Sequence, residues 1–149
     1  MELGIMLAGG GGLSVPDLAE LGRRSEAAGL DSVYVPESWR SGFVPIAAIA
    51  AATQRVRVGA YVLNAHARTP LAAGMSAIDL DQQSGGRFVL AVGSGNHVMN
   101  EDGHGVPVDR PLAKMRDYVE VLRRVTSTDV GSPVSHDGER HAIRGWRPQ

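Results

Sequence analysis

Acidic, carboxamide and imidazole side chains gather in three loops of this chain, each directly after a short apolar run. Glu37 follows the run ending at Val35, and Asn64 closes the run Val56–Leu63. The stretch Gly93-Ser94-Gly95-Asn96-His97-Val98-Met99-Asn100-Glu101 follows Phe88–Val92. Carboxylates and imidazoles can take and return protons near neutral pH. Carboxamides bond in both directions, and glycines let backbone amides approach a ligand without side-chain obstruction. Glu37 is therefore read as a catalytic carboxylate that positions a ligand or relays a proton, with loop capping as its alternative. Glu101 is read as a proton acceptor. His97 and His104 could donate protons to a substrate or simply be exposed. Gly93, Ser94, Gly95, Asn96, Asn100 and Asn64 are read as ligand contacts, Asn64 having local turn bonding as its alternative. Arg68 could meet an anionic group or be solvated. The spacing of His97, Glu101 and His104 does not match a zinc signature such as His-Glu-x-x-His, so no metal is expected.

The elements that must hold these loops follow from the pattern of apolar residues. Leu3–Leu7 reads as a first strand and is followed by the glycine run Gly9–Gly12. Ser14 can cap a helix with Pro16 in its first turn; Leu18, Leu21, Ser25 and Ala28 mark its buried face, and Gly29 ends it. Ser32–Val35 and Val56–Leu63 read as the second and third strands. Between them the alanine- and isoleucine-rich stretch 44–52 reads as a helix. A third helix spans 71–81, with Leu71, Met75 and Ile78 on one face. Ser84-Gly85-Gly86 terminates it, because glycine accepts the left-handed backbone that ends a helix. Phe88–Val92 is a continuous apolar run, as expected of a parallel strand covered on both faces. A fourth helix spans 112–125, with Met115, Tyr118, Val119 and Leu122 at helical spacing. Met75 and Met115 read as core. The tail carries an Asp137-Gly138 turn between two β-prone runs, a hairpin signal, with His136 and His141 as flanking surface groups.

Composition limits the functions open to these elements. The 149 residues are ordinarily one domain; they are 43% hydrophobic, 21% charged and carry a net charge of -1. That balance gives no electrostatic case for nucleic acid or an anionic membrane surface. No run approaches a membrane span, and the start lacks the basic region of a secretory signal. With no cysteine, disulfides and thiolate catalysis are excluded, which fits the cytoplasm.

Four consecutive βα units imply a parallel sheet, as in a small doubly wound fold or half of a βα barrel. The first strand lacks the Gly-x-Gly-x-x-Gly dinucleotide fingerprint, which disfavours a Rossmann domain. Several blocks resemble the luciferase-like flavin and deazaflavin oxidoreductases. These are Glu37-Ser38-Trp39, Arg55–Asn64 with Arg68-Thr69-Pro70, Leu80–Phe88, Gly93–Asn96, Asn100-Glu101, His104–Pro107 and the tail 137–141. Their order and spacing agree over nearly the whole chain. The resemblance implies a TIM (β/α)8 barrel with the cofactor across the carboxyl ends of the strands, of which residues 1–149 would be the N-terminal half, its first four βα units plus a short hairpin. Eight units need about 250 residues, so the C-terminal half is expected to be absent and the first and fourth strands to be open edges.

The Pro-Glu-Ser-Trp and Gly-Ser-Gly-Asn motifs are more similar to the branch using coenzyme F420 than to the branch using FMN. The resemblance implies hydride transfer between the deazaflavin and an organic substrate, or, as alternatives, an FMN-dependent monooxygenase or a non-catalytic half-barrel. It also implies a non-prolyl cis peptide at Tyr61–Val62 backing the cofactor ring. Several relatives carry a histidine where this chain has Ser38, a poor proton donor at neutral pH. The expected partners are a small-molecule substrate and a second copy or second half-barrel.

Overall fold

The computed structural model describes residues 1–8, 12–38 and 40–149; Gly9–Gly11 of the glycine run and Trp39 of the Glu-Ser-Trp motif lie outside the described residues. The chain divides into two compact units, Met1–Leu63 with Asp79–Val92, and Asn64–Ile78 with Gly93–Gln149.

In the first unit, β1 (Gly4–Met6), β2 (Ser32–Val35), β3 (Arg57–Ala60) and β5 (Phe88–Val89) form a parallel sheet in the order β1-β2-β3-β5. The two helices between them are α1 (Val15–Ala27) and α2 (Phe43–Ala52). Helix α1 starts where Ser14 predicts. The Ser14 hydroxyl accepts the Asp17 N–H, and Asp17 accepts the Ser14 N–H at 2.8 Å, a reciprocal capping box. Its buried residues are Leu18, Gly22 and Ser25, at helical spacing. Gly22 is required because a Cβ there would stand 2.6 Å from Ile49 Cγ2 of α2. Ala28, expected on that face, is exposed because the helix has already ended. Val33, Val35, Val58, Leu18, Ile46 and Ile49 are nearly or wholly removed from water. Each such side chain contributes about 1.5–3 kcal/mol relative to exposure, so this layer dominates the unit's stability.

Two expectations about strands change. The third is not continuous over 56–63: β3 ends at Ala60, and a two-residue strand, β4 (Leu63–Asn64), follows the Tyr61–Val62 peptide, which is cis. The fourth is likewise divided into β5 and β6 (Val92–Gly93), the latter pairing with β4. Residues 88–92 are half-buried, not covered on both faces, because β5 has a strand neighbour on one side only. At the opposite edge, Ile5 and Met6 of β1 are 38% and 51% exposed. Both ends of the sheet are open edges, as the four-unit reading expects.

Arg87, just before β5, ties this unit together at the opposite end from the loops. Its guanidinium donates to the carbonyls of Ala50, Thr53 and Val56 and to the Thr53 hydroxyl at 2.8–3.1 Å, and its Nε to the Ser84 carbonyl at 2.7 Å. The Ser-Gly-Gly-Arg turn is thus a helix stop whose arginine satisfies the carbonyls ending α2.

The second unit contains α4 (Pro111–Ser127) and a hairpin of β7 (Val134–Asp137) and β8 (Ala142–Trp146). Tyr118, Val121, Leu122 and Val125 are its buried helical face, and Val121 and Val125 pack with Val134 and Trp146. The helix α3 (Pro70–Ser84) begins in this unit and ends in the first. Ala73, Ala77, Leu80 and Ser84 are its buried residues, while Leu71 and Ile78 of the expected face are partly buried against Val121, Val125 and Val134. Close approach explains the difference: a Cβ on Gly74 would stand 2.6 Å from Val125 Cγ1, so small residues face inward. Met75 is consequently 47% exposed and is not core, and Met115 is half-buried. His136 and His141 are not surface groups either. The Asp117 carboxylate accepts the N–H groups of Arg140 and His141 and lies 3.7 Å from His136, holding the turn against α4. The His141 ring packs edge-on against Tyr118, centroids 5.7 Å apart.

Candidate functional site

The loops after the strands carry the candidate residues, and the structure sorts them. In the first unit, Glu37 is half-buried and its Oε1 accepts the Gly42 N–H at 3.1 Å, at the start of α2. The capping geometry offered as its alternative is therefore present. Gly42 itself sits against Leu63 and Glu37, where a Cβ would be 2.6 Å from Leu63 Cδ2. Tyr61 is 64% exposed, with its ring tilted by 60° against that of Tyr34, centroids 6.3 Å apart. A large ring left in water beside the cis peptide bond is a flat apolar surface available to a ligand. Val62 is half-buried.

In the second unit, Asn64 and Asn100 come together. Both are buried, at 3% and 0% exposure. Asn64 Nδ2 donates to Asn100 Oδ1 at 2.6 Å, Asn64 Oδ1 accepts the His66 N–H at 2.9 Å, and Asn100 Nδ2 donates to the Ser94 carbonyl at 2.8 Å. Asn100 also accepts the Val106 N–H at its backbone carbonyl. These amides are engaged with the protein, whereas Ser94, Gly95 and Asn96 are exposed. Gly95 has φ +66°, and a Cβ there would be 2.9–3.0 Å from the Asn64 amide atoms. The loop carries glycine for both reasons. Asn96 starts the next helical turn, its Oδ1 accepting the Met99 N–H at 2.7 Å.

That turn continues as a π-helical segment, Met99–Gly103, a form frequent at functional sites. It sets His97 and Glu101 together: His97 Nδ1 lies 3.3 Å from Glu101 Oε2, while Glu101 Oε1 accepts the Val108 N–H at 3.0 Å. His97 is well exposed, and Val98 beside it is 68% exposed. His104 follows the π segment and is also exposed. Among the described residues, no three His, Asp or Glu side chains gather as metal ligands would. No helix among them is long and apolar enough to cross a membrane.

One polar pair was not foreseen. His66 is 5% exposed, and its Nδ1 lies 3.1 Å from Lys114 Nζ of α4. Burial, then the Lys114 charge, holds the His66 imidazole below its ordinary pKa; burial, then Arg140, does the same to Lys114. The partners are 48 positions apart, and His66 sits between alanines, so nothing local in the sequence signals the contact.

The parallel βα order, the divided third strand and the glycine loop after the fourth define a barrel-type α/β fold with its functional loops at the strands' carboxyl ends. The chain belongs to the luciferase-like monooxygenase family, whose pattern matches residues 1–148. It is 37% identical over 144 residues to a Mycobacterium tuberculosis protein provisionally named a coenzyme F420-dependent oxidoreductase, covering 96% of this chain and 41% of that one. Two solved structures share the fold. The F420-dependent tetrahydromethanopterin reductase of Methanopyrus kandleri gives a TM-score of 0.85 at 21% identity, over 99% of this chain and 46% of that one. The FMN-bound oxygenating component of 3,6-diketocamphane monooxygenase from Pseudomonas putida gives 0.83 at 17%, over 99% and 44%. The fold is thus the first four βα units of the luciferase-like TIM barrel, with a short antiparallel hairpin. The chain spans about two fifths of the length of the curated relative.

Proposed function

We propose that this chain supplies the N-terminal half of a coenzyme F420 site in an oxidoreductase that moves a hydride between the deazaflavin and an organic substrate. The observation that carries the reading is the His97–Glu101 pair, set directly after the exposed Ser94–Asn96 loop. The 37% identity to an F420-dependent relative supports the choice of cofactor. In the second unit the residues fit such a group: an exposed loop with a hydroxyl, a carboxamide and unhindered backbone at Ser94, Asn96 and Gly95.

When bound, the cofactor supplies a ring carbon that gives or takes a hydride. Glu101, held by the Val108 N–H, faces His97 Nδ1 at 3.3 Å, so a proton on Nδ1 is directed at the carboxylate and Nε2 is left as the bare, proton-accepting nitrogen. His97 Nε2 receives the proton that leaves the substrate as its hydride departs, and returns it in the reverse direction. In the first unit, Tyr61 and Val62 would offer a flat ring an apolar surface. Glu37 holds the loop before α2 through Gly42 instead of carrying a proton.

An FMN-dependent monooxygenase is the second reading, favoured by the fold shared with the FMN-bound enzyme. Reoxidation of the reduced cofactors separates the two. With a panel of aldehydes, ketones and enones under anaerobic conditions, reduced F420 is expected to be reoxidised without oxygen uptake. Oxygen consumption dependent on reduced FMN, with no reaction of reduced F420, would overturn the hydride-transfer reading.

A further inference from the structure

We propose that Lys114 is a carbonyl-reactive amine, a site at which this chain condenses reversibly with small aldehydes, with His66 taking the proton that the attacking nitrogen sheds. The chain carries fourteen arginines and a single lysine. An arginine keeps its charge in any protein setting, whereas a lysine can give up its proton and become a nucleophile. That one lysine stands on the first turn of α4 in the second unit, half-buried, with its Nζ 3.1 Å from Nδ1 of the buried His66. Among the described residues Nζ makes no ion pair with a carboxylate; Asp109, on the segment before α4, is held instead by Arg140 Nη2.

The groups around Nζ favour the uncharged amine. Burial acts first and the Arg140 guanidinium of the hairpin turn second, while Asp109 opposes both. Burial and then the Lys114 charge push His66, and His141 on the same turn as Arg140, toward their neutral forms. An ammonium can only donate, so His66 Nδ1 accepts and the ring proton lies on Nε2, a buried atom with no hydrogen-bond partner. An orphaned buried nitrogen is costly in a purely structural contact, which apolar side chains would fill without that loss. The chemistry uses no cofactor and so stands apart from the F420 reading. The Nζ lone pair bonds to the carbonyl carbon, and the C=O π pair moves onto oxygen. His66 Nδ1 takes one proton from Nζ and returns it to that oxygen. The second Nζ proton follows, and the oxygen leaves as water while the C=N bond forms.

Reductive trapping on the whole chain tests this. Acetaldehyde with cyanoborohydride converts the imine to a stable ethylamine, and tandem mass spectrometry reads the site. The rate at Lys114 is taken as a ratio to that of Nα-acetyl-lysine at each pH. At pH 7 the ratio is expected to be at least ten, falling toward one as the pH passes about 10.4, where an ordinary lysine is itself deprotonated. Arg140→Gln removes the neighbouring cation and frees Asp109, and should lower the ratio at pH 7 but not at high pH. His66→Gln removes the base and should lower the ratio at every pH. Where that variant does not fold, the natural chain and Arg140→Gln still decide. A ratio near one at pH 7, or one that does not change with pH, would overturn the proposal. His66→Gln reacting at the natural rate would overturn the role given to His66.

Discussion

His97 and Glu101 lie one helical turn apart, with the imidazole Nδ1 3.3 Å from a carboxylate whose other oxygen is held by the Val108 N–H. This orienting arrangement makes a specific division of labour. Glu101→Gln and His97→Gln should each lower kcat by about 100-fold, the low end of what a positioned acid–base group contributes, with cofactor affinity unchanged. The double variant should be little worse than either single one, because the two residues act as a unit. Steady-state kinetics with F420 checks this, and additive losses would separate the pair.

Arg87 makes a prediction about stability rather than chemistry. Arg87→Met strips the donor from four backbone carbonyls and the Thr53 hydroxyl, several of them removed from water. It should cost about 3 kcal/mol in urea denaturation. Arg87→Lys keeps the charge but not the planar fork, and should recover only part of the loss.

The pH dependence of stability follows from one buried and one half-buried imidazole. Burial, then the Lys114 charge, lowers the pKa of both His66 and His141. In the unfolded chain they titrate near about 6.5. As the pH falls through that value the unfolded state takes up protons first, so folding stability declines until the lower native pKa is reached. His66→Gln should flatten the decline between pH 7 and 5. A separate fall is expected below about pH 4, because carboxylates such as Asp117, held low by the Arg140 N–H and then the His141 N–H, must be protonated there. Urea titrations at stepped pH would resolve the two windows.

Both edges of the parallel sheet are open, and β1 exposes Ile5 and Met6. An exposed parallel edge is a template for strand addition. Light scattering on the 149-residue chain should therefore report self-association, relieved by Met6→Lys. A dispersed monomer over a range of concentrations would contradict the view that these edges need covering.

What was legible in the sequence was local. The Ser14 helix cap, the Ser-Gly-Gly stop and the hairpin all depend on neighbours within a few residues, and the structure has each of them. The cis bond was legible only through the family's pattern. Helix α3 was legible in part: Leu71 and Ile78 pack against the Val121–Val125–Val134 cluster, but Met75 does not, and residue size gave no sign of the small-residue face that the close approach at Gly74 demands. The pairings Asn64–Asn100 and His66–Lys114, and the Asp117 clamp on the hairpin, join residues 23 to 48 positions apart. No periodicity reports such contacts. For Glu37 the sequence left capping and catalysis open, and the bond to Gly42 is what the fold adds.

The central claim is that this chain forms part of a deazaflavin site. Equilibrium titration of the purified chain with coenzyme F420 and, separately, with FMN, followed by the cofactor's own absorbance and fluorescence, tests it most directly. Saturable binding of F420, at least tenfold tighter than FMN, is the predicted result. Preference for FMN, or binding of neither cofactor, would contradict the account.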